Sequence, residues 1–425
     1  MLGFWAAGAV VSSRSSEGRL ADSESMEHRM SGQENYGLPS KRARRVIRTL
    51  ATLATLIGVS GCGAPEGASE APLEAGGPGA GGEAWIGPAP EGEWTGAVEV
   101  APVDGEASFA SLTQLTHGGT NAEAYFSAEG DRLIFQSTWA GVSECDQMYT
   151  MNLDGSDLQL VSTGQGRTTC GYHYPGQDLL LFSSTHHISD QCPTAPDRSQ
   201  GYVWGLFGYD VFTRDLMTGE VSQLTDVAGY DAEATISPDG STIVFTSTRS
   251  GDLEIWAMDA DGSNPRQLTD DLGYEGGAFF SADGSQIVYR AFHPRNEEEL
   301  ADYENLLSQN LVRGGRLEVF VMSPDGSNKR QVTDNGSSNF APFFHPSGEQ
   351  IIFSSNFGDP SGRTFQLYLI NVDGTGVRSV TNDGFFSSFP MFSPDGSLLA
   401  FSSDRGTEGP GEINVFLAEW RDVSE

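Results

Sequence analysis

Residues 229–270 read GYDAEATISPDGSTIVFTSTRSGDLEIWAMDADGSNPRQLTD. Four short runs rich in β-branched and aromatic residues, from Ala232 to Ile236, Thr242 to Ser247, Leu253 to Met258 and Arg266 to Thr269, are separated by Gly, Asp, Asn and Pro. The pattern predicts four antiparallel strands in a meander. In Pro238-Asp239-Gly240 the proline presets φ and the glycine accepts a positive φ, which makes a tight turn from the first strand to the second. Asp259-Ala260-Asp261-Gly262 does the same between the third and fourth. Ile243, Val244 and Phe245 in succession make the second run apolar on both faces, so neighbours have to cover each small sheet from both sides.

Copies of this unit account for most of the chain after residue 110. The first turn recurs six times, at Ala128-Glu129-Gly130, Pro175-Gly176-Gln177, Pro238-Asp239-Gly240, Ala282-Asp283-Gly284, Pro346-Ser347-Gly348 and Pro394-Asp395-Gly396. The series opens on a fourth strand, around Leu112 to Thr116, and closes on a third, Ile413 to Glu419. An all-β, six-bladed β-propeller of four-stranded blades is therefore expected, closed by an N-terminal strand that completes the last blade. With its Ser-Pro-Asp-Gly turns at 237–240 and 393–396, the repeat region resembles the TolB-like propeller family. The resemblance implies the fold. It leaves function open, because such propellers serve as binding modules, as gating domains of peptidases and as enzymes.

The chain has 425 residues, with 58 acidic against 24 basic side chains and a formal charge of −34, which argues against nucleic acid or anionic lipid as a partner of the folded part. Residues 1–61 are read as an extension upstream of the native start, with initiation at Met26 or Met30, followed by a signal peptide. Lys41-Arg42-Ala43-Arg44-Arg45 is its positive region, and Leu50 to Val59 an apolar stretch too short to span a bilayer. Val59-Ser60-Gly61-Cys62 resembles the bacterial lipoprotein lipobox, which implies lipidation at Cys62. Export and a lipid anchor follow as expectations, with Gly63 after the cysteine favouring the outer membrane, facing the periplasm or the exterior. Residues 62–108, rich in Gly, Ala, Pro and Glu, are expected to form a disordered tether, and 109–425 the propeller.

Between successive fourth strands the repeats of blades two and four are longer than the others, through insertions at 186–202 and 292–316 between their second and third strands. Both should emerge on one face of the ring, the usual place for binding. The second contains Leu300, Tyr303, Leu307 and Leu311 at helical spacing after Pro294. The same face is expected to gather Asn121, Glu123, Asp231, Glu233, Glu275 and Asn339 at the channel mouth, with His186, His187 and His293 from the insertions. These residues are either ligand-binding groups or groups that tie loop backbones. A set of carboxylate and imidazole donors converging there could hold a divalent cation, although no ligand spacing is fixed. Asp231 and Glu233, two apart on one strand, are expected to share a face and to be able to share such a cation. Cys145, Cys170 and Cys192 are expected to form one disulfide and leave one thiol, with Cys170–Cys192 and Cys145–Cys192 both open.

The chain is thus read as a non-catalytic module, monomeric and without a required cofactor, that binds an envelope protein, peptide or glycan through its insertion-bearing face. It would touch the membrane only through its anchor. The alternative is a metal-dependent lyase or hydrolase at the acidic channel mouth. A serine peptidase of the propeller-bearing kind is not expected, since no Gly-x-Ser-x-Gly elbow occurs.

Overall fold

A computed structural model of the chain describes residues 96–139, 142–197, 199, 201–407 and 411–423. The proposed extension, signal peptide, Cys62 and most of the tether lie outside the described residues. Within them the strands form six antiparallel blades around a central channel, at 120–160, 168–223, 231–267, 274–331, 339–379 and 387–420. Each runs outward as a meander. The last is completed by Phe109–Gln114, which pairs with Asn414–Trp420 and closes the ring.

One expectation needs correction. Val98–Val100 adds a fifth strand outside Phe109–Gln114, so ordered structure begins within the stretch read as tether. The reason lies in Glu106. It is buried and accepts two bonds from the buried Arg405 guanidinium, at 2.7 and 3.1 Å, which holds the segment against blade six. A Gly/Pro-rich composition does not reveal such a long-range pair.

Burial follows the pattern of the apolar runs. Ile243, Val244 and Phe245 are fully buried, as are Leu133, Ile134 and Phe135 in blade one and Ile351, Ile352 and Phe353 in blade five. These side chains fill the layers between adjacent blades. The Ser-Pro-Asp-Gly turn closes through Gly240 N–H donating to Ser237 O (2.8 Å), with Ser237 Oγ donating to Asp239 (2.6 Å) and Gly240 at φ 71°. The same Ser–Asp bond recurs at Ser281–Asp283 and Ser393–Asp395.

A second repeated device holds the rim of each blade. In blade three Thr269 Oγ1 donates to Glu254 (2.6 Å) and accepts from Ile255 N–H (2.8 Å), tying the fourth strand to the third. Thr333 does so with Glu318 and Val319, Thr381 with Gln366 and Leu367, and Ser162 with Gln147 and Met148. At the seam Thr116 repeats it with Asn414 and Val415, so the closing strand is locked like any other.

The segment that follows the first insertion meets the second. Trp204–Gly205 pairs with Leu311–Val312 in a two-stranded ribbon outside the blades. The helix of the second insertion spans Glu297–Leu307, capped by Asn296, whose side chain accepts from Glu298 N–H and Glu299 N–H. It buries Tyr303 and Leu306. Leu311, expected on its apolar stripe, lies in the ribbon instead, because the helix ends at Ser308 and the chain turns back to reach Gly205.

Candidate functional site

The inner strand of every blade is interrupted at one residue. Glu123, Cys170, Glu233, Gly277, Ala341 and Phe389 all have φ between 49° and 61°, and each sits in a break of the register with the second strand. This bulge turns one residue per blade toward the axis. All six line a cavity of about 1070 Å³. The ring is ionisable in blades one to three, small in four and five, and aromatic in six.

Arg290, from the second strand of blade four, fills the space above Gly277. A Cβ on Gly277 would lie 1.8 Å from Arg290 Nη1, so only glycine admits the guanidinium. Arg290 pairs with Glu233 Oε1 and lies over the rings of Trp204 and Tyr274, each 5.5 Å from its centroid. Thr246 Oγ1 and Gly277 N–H donate to Glu233 Oε2 at 2.8 and 3.0 Å. The pair is therefore preset rather than free to rotate. Deep placement, with the Glu233 charge adding to it, pushes the Glu123 carboxyl up to about 7, while a hydrogen bond with Cys170 acts in the opposite direction. Burial and the same carboxylates raise the Cys170 thiol well above its ordinary range, which favours the neutral thiol over the thiolate.

The walls are aromatic, with Tyr125, Tyr209, Tyr230, Tyr274, Phe340 and Phe386 around the ring and Trp204 and Phe207 from the segment that follows the first insertion. Arg167, Arg316 and Arg363 also line it. The Cys145–Cys192 disulfide ties the first insertion to blade one and leaves Cys170 as a thiol.

The residues expected together at the channel mouth divide among different places. Glu123 and Glu233 face the cavity. Asn121 and Asn339 do not: each is fully buried at a junction between blades, where Asn121 donates to Gly118 O and Ile413 O and Asn339 to Leu317 O and Glu318. Asp231 is likewise engaged, accepting from Arg249 (2.6 Å) and Ser247 (2.5 Å). The face shared by Asp231 and Glu233 is lost because the bulge breaks strand alternation between them. His186 bonds Ser184 Oγ at 2.8 Å and packs on Phe212, and His187 pairs with Asp210 at 3.0 Å. His293 contacts Glu275, outside the cavity.

Arg290 was not singled out from sequence, yet a signal for it exists. Its register position is occupied by Gln136, Ser183, Thr246, Ser354 and Ser402 in the other blades, so an arginine there is anomalous.

Residues 208–302 match the TolB beta propeller domain family. The match spans the third blade and parts of the second and fourth. An uncharacterized protein of Agrobacterium fabrum (strain C58 / ATCC 33970), Atu1656, is 36% identical over 56 residues, 13% of this chain and 19% of that protein. The chain thus spans about a fifth of that relative. TolB from Acinetobacter baumannii is similar in structure with a TM-score of 0.48 and 19% identity, over 71% of this chain and 64% of that one. A putative TolB from Agrobacterium tumefaciens has a TM-score of 0.48 and 18% identity, over 72% and 91%. The propeller here carries the two insertions and the channel ring described above.

Proposed function

We propose that this TolB-like propeller is a non-catalytic binding module of the cell envelope, held there through a lipidated Cys62, and that its cavity takes an extended segment of a peptide or glycan. One observation carries the reading: a cavity of about 1070 Å³, walled by aromatic rings and bordered by both insertions, holds a preset Glu233–Arg290 pair. Aromatic faces supply contact area at small entropic cost, and a few fixed polar groups set orientation. The alternative, a metal-dependent lyase or hydrolase, has less support. Asp231 is engaged by Arg249, Glu233 by Arg290, and Cys170 is held as a thiol.

The test is binding of the detergent-solubilised full-length protein to immobilised peptide and glycan libraries, followed by titration of the hits. Trp204→Ala and Arg290→Gln should each weaken a genuine cavity ligand at least about tenfold, roughly the 1.4 kcal/mol expected of one lost anchor. Hits that bind both variants as tightly as the native protein would exclude the cavity as the site. For the anchor, Cys62→Ala should move the protein from the membrane fraction to the soluble one.

A further inference from the structure

Two junctions between blades place one carboxyl beside another. Where blade two meets blade three, Asp210 and Asp231 are both answered: Asp231 by Arg249 and Ser247, Asp210 by His187 and Gln223. Where blade three meets blade four, the counterparts are Glu254 and Glu275, buried to 3% and 1% exposure. Here the clamp is missing. The register that sets Asp231 opposite Ser247 sets Glu275 opposite Ala291, and the position of Arg249, two residues on, is His293. His293 contacts Glu275 Oε1, but among the described residues no group donates to Glu275 Oε2, and Glu254 is within hydrogen-bonding reach of the same carboxyl. Asp271, from the connection between the blades, brings a third carboxylate, with ligand atoms of Asp271, Glu275 and His293 all within 4.8 Å of one another.

We propose that this junction binds one divalent transition-metal ion through Glu275, His293 and Asp271, with Glu254 as neighbouring acid. Two buried carboxyls side by side need a proton or a cation between them, and a lone imidazole is a weaker answer than the arginine of the preceding junction. One imidazole with carboxylates suits zinc or manganese, whereas calcium and magnesium prefer all-oxygen sites. Asp271 and the partly exposed His293 leave a route from solvent. Lys329, 2.7 Å from Asp271, would have to yield or share that carboxylate. Because His293 opens the second insertion and its carbonyl accepts from Arg316 at 3.0 Å, the ion would pin the base of that insertion to the ring. The site lies apart from the cavity and does not depend on what the cavity binds.

The experiment uses the full-length protein, stripped with chelator and then titrated with zinc chloride or manganese chloride, reading metal stoichiometry, affinity and Tm. Native protein should take up one equivalent and gain several degrees in Tm. His293→Arg, which copies the preceding junction, and Glu275→Gln, which makes the carboxyl–amide pair that Glu318 and Asn339 form one blade on, should lose at least tenfold in affinity and the Tm response. If Glu275→Gln does not fold, His293→Arg decides. Native protein that takes up neither metal, or a folded His293→Arg that binds as tightly as native protein, would overturn the proposal.

Discussion

Gly277 and Arg290 show how one missing side chain sets the chemistry of the channel. Gly277→Ala would put a methyl at the guanidinium and strain a backbone at φ 61°, driving Arg290 from Glu233. The expected loss is about 3 kcal/mol, the scale for breaking a buried pair, read as a lower urea midpoint with the slope unchanged. Glu123 makes a prediction in pH. Its carboxyl is raised from the usual 4.5 to about 7 in the folded protein, so the stability that comes from holding it neutral is complete below pH 4.5 and is lost as pH rises through 7. Glu123→Gln removes that loss. The Tm of the variant should gain on that of the native protein between pH 5 and pH 8, and parallel pH profiles would show that Glu123 does not titrate in this range. From sequence Glu123 and Glu233 were recognisable as acids near the start of inner strands, but the bulge that turns them to the axis was not. It recurs at the same register position in all six blades and is tolerated by Cys, Ala and Phe as well as by Glu and Gly.

At the scale of strands and loops, the turns were the most legible part. Ser-Pro-Asp-Gly encodes its own closure through contacts within five residues, so no distant part of the chain is needed. The hydroxyl locks, threonine in five blades and serine in the first, are longer-range but repeat in every copy. Thr381→Val would remove a fully buried hydroxyl that donates to the half-buried Gln366 Oε1 and accepts from the buried Leu367 N–H, at a cost of about 1–3 kcal/mol, measurable by chemical denaturation. The insertions were legible as length and hidden as contact. Helical spacing placed a helix after Pro294, yet where it ends was decided by pairing of Leu311 with Gly205, two segments about a hundred residues apart. That ribbon can be tested through Gly314, where a Cβ would fall 2.5 Å from the Trp204 ring. Gly314→Ala should shift Trp204 fluorescence and weaken cavity binding while moving Tm by only a few degrees, because the blades themselves are untouched.

For the whole molecule the seam is decisive, since a ring of blades loses its mutual covering if it opens. Phe109–Gln114 closes it by strand pairing, and Glu106 adds an ion pair to Arg405 in which both partners are at most 4% exposed. Glu106→Ala would leave a buried guanidinium with no carboxylate. A loss of about 3–5 kcal/mol is expected in thermal or urea unfolding, larger than for Arg132→Ala at the exposed Arg132–Asp157 pair, which should change stability by less than about 1 kcal/mol. Equal effects would mean that the seam carries no special share of stability. Sequence by itself determined the number of blades, their four-stranded form and the closing strand, because turn residues and apolar runs act locally and recur at a legible spacing. Only the tertiary structure decided which polar residues meet. Asp231 and Glu233, two residues apart in the repeat, are sent to Arg249 and Arg290, while Glu275 is left with His293, Asp271 and Glu254. Those pairings depend on side chains brought together from different strands and blades, and no local pattern carries that information.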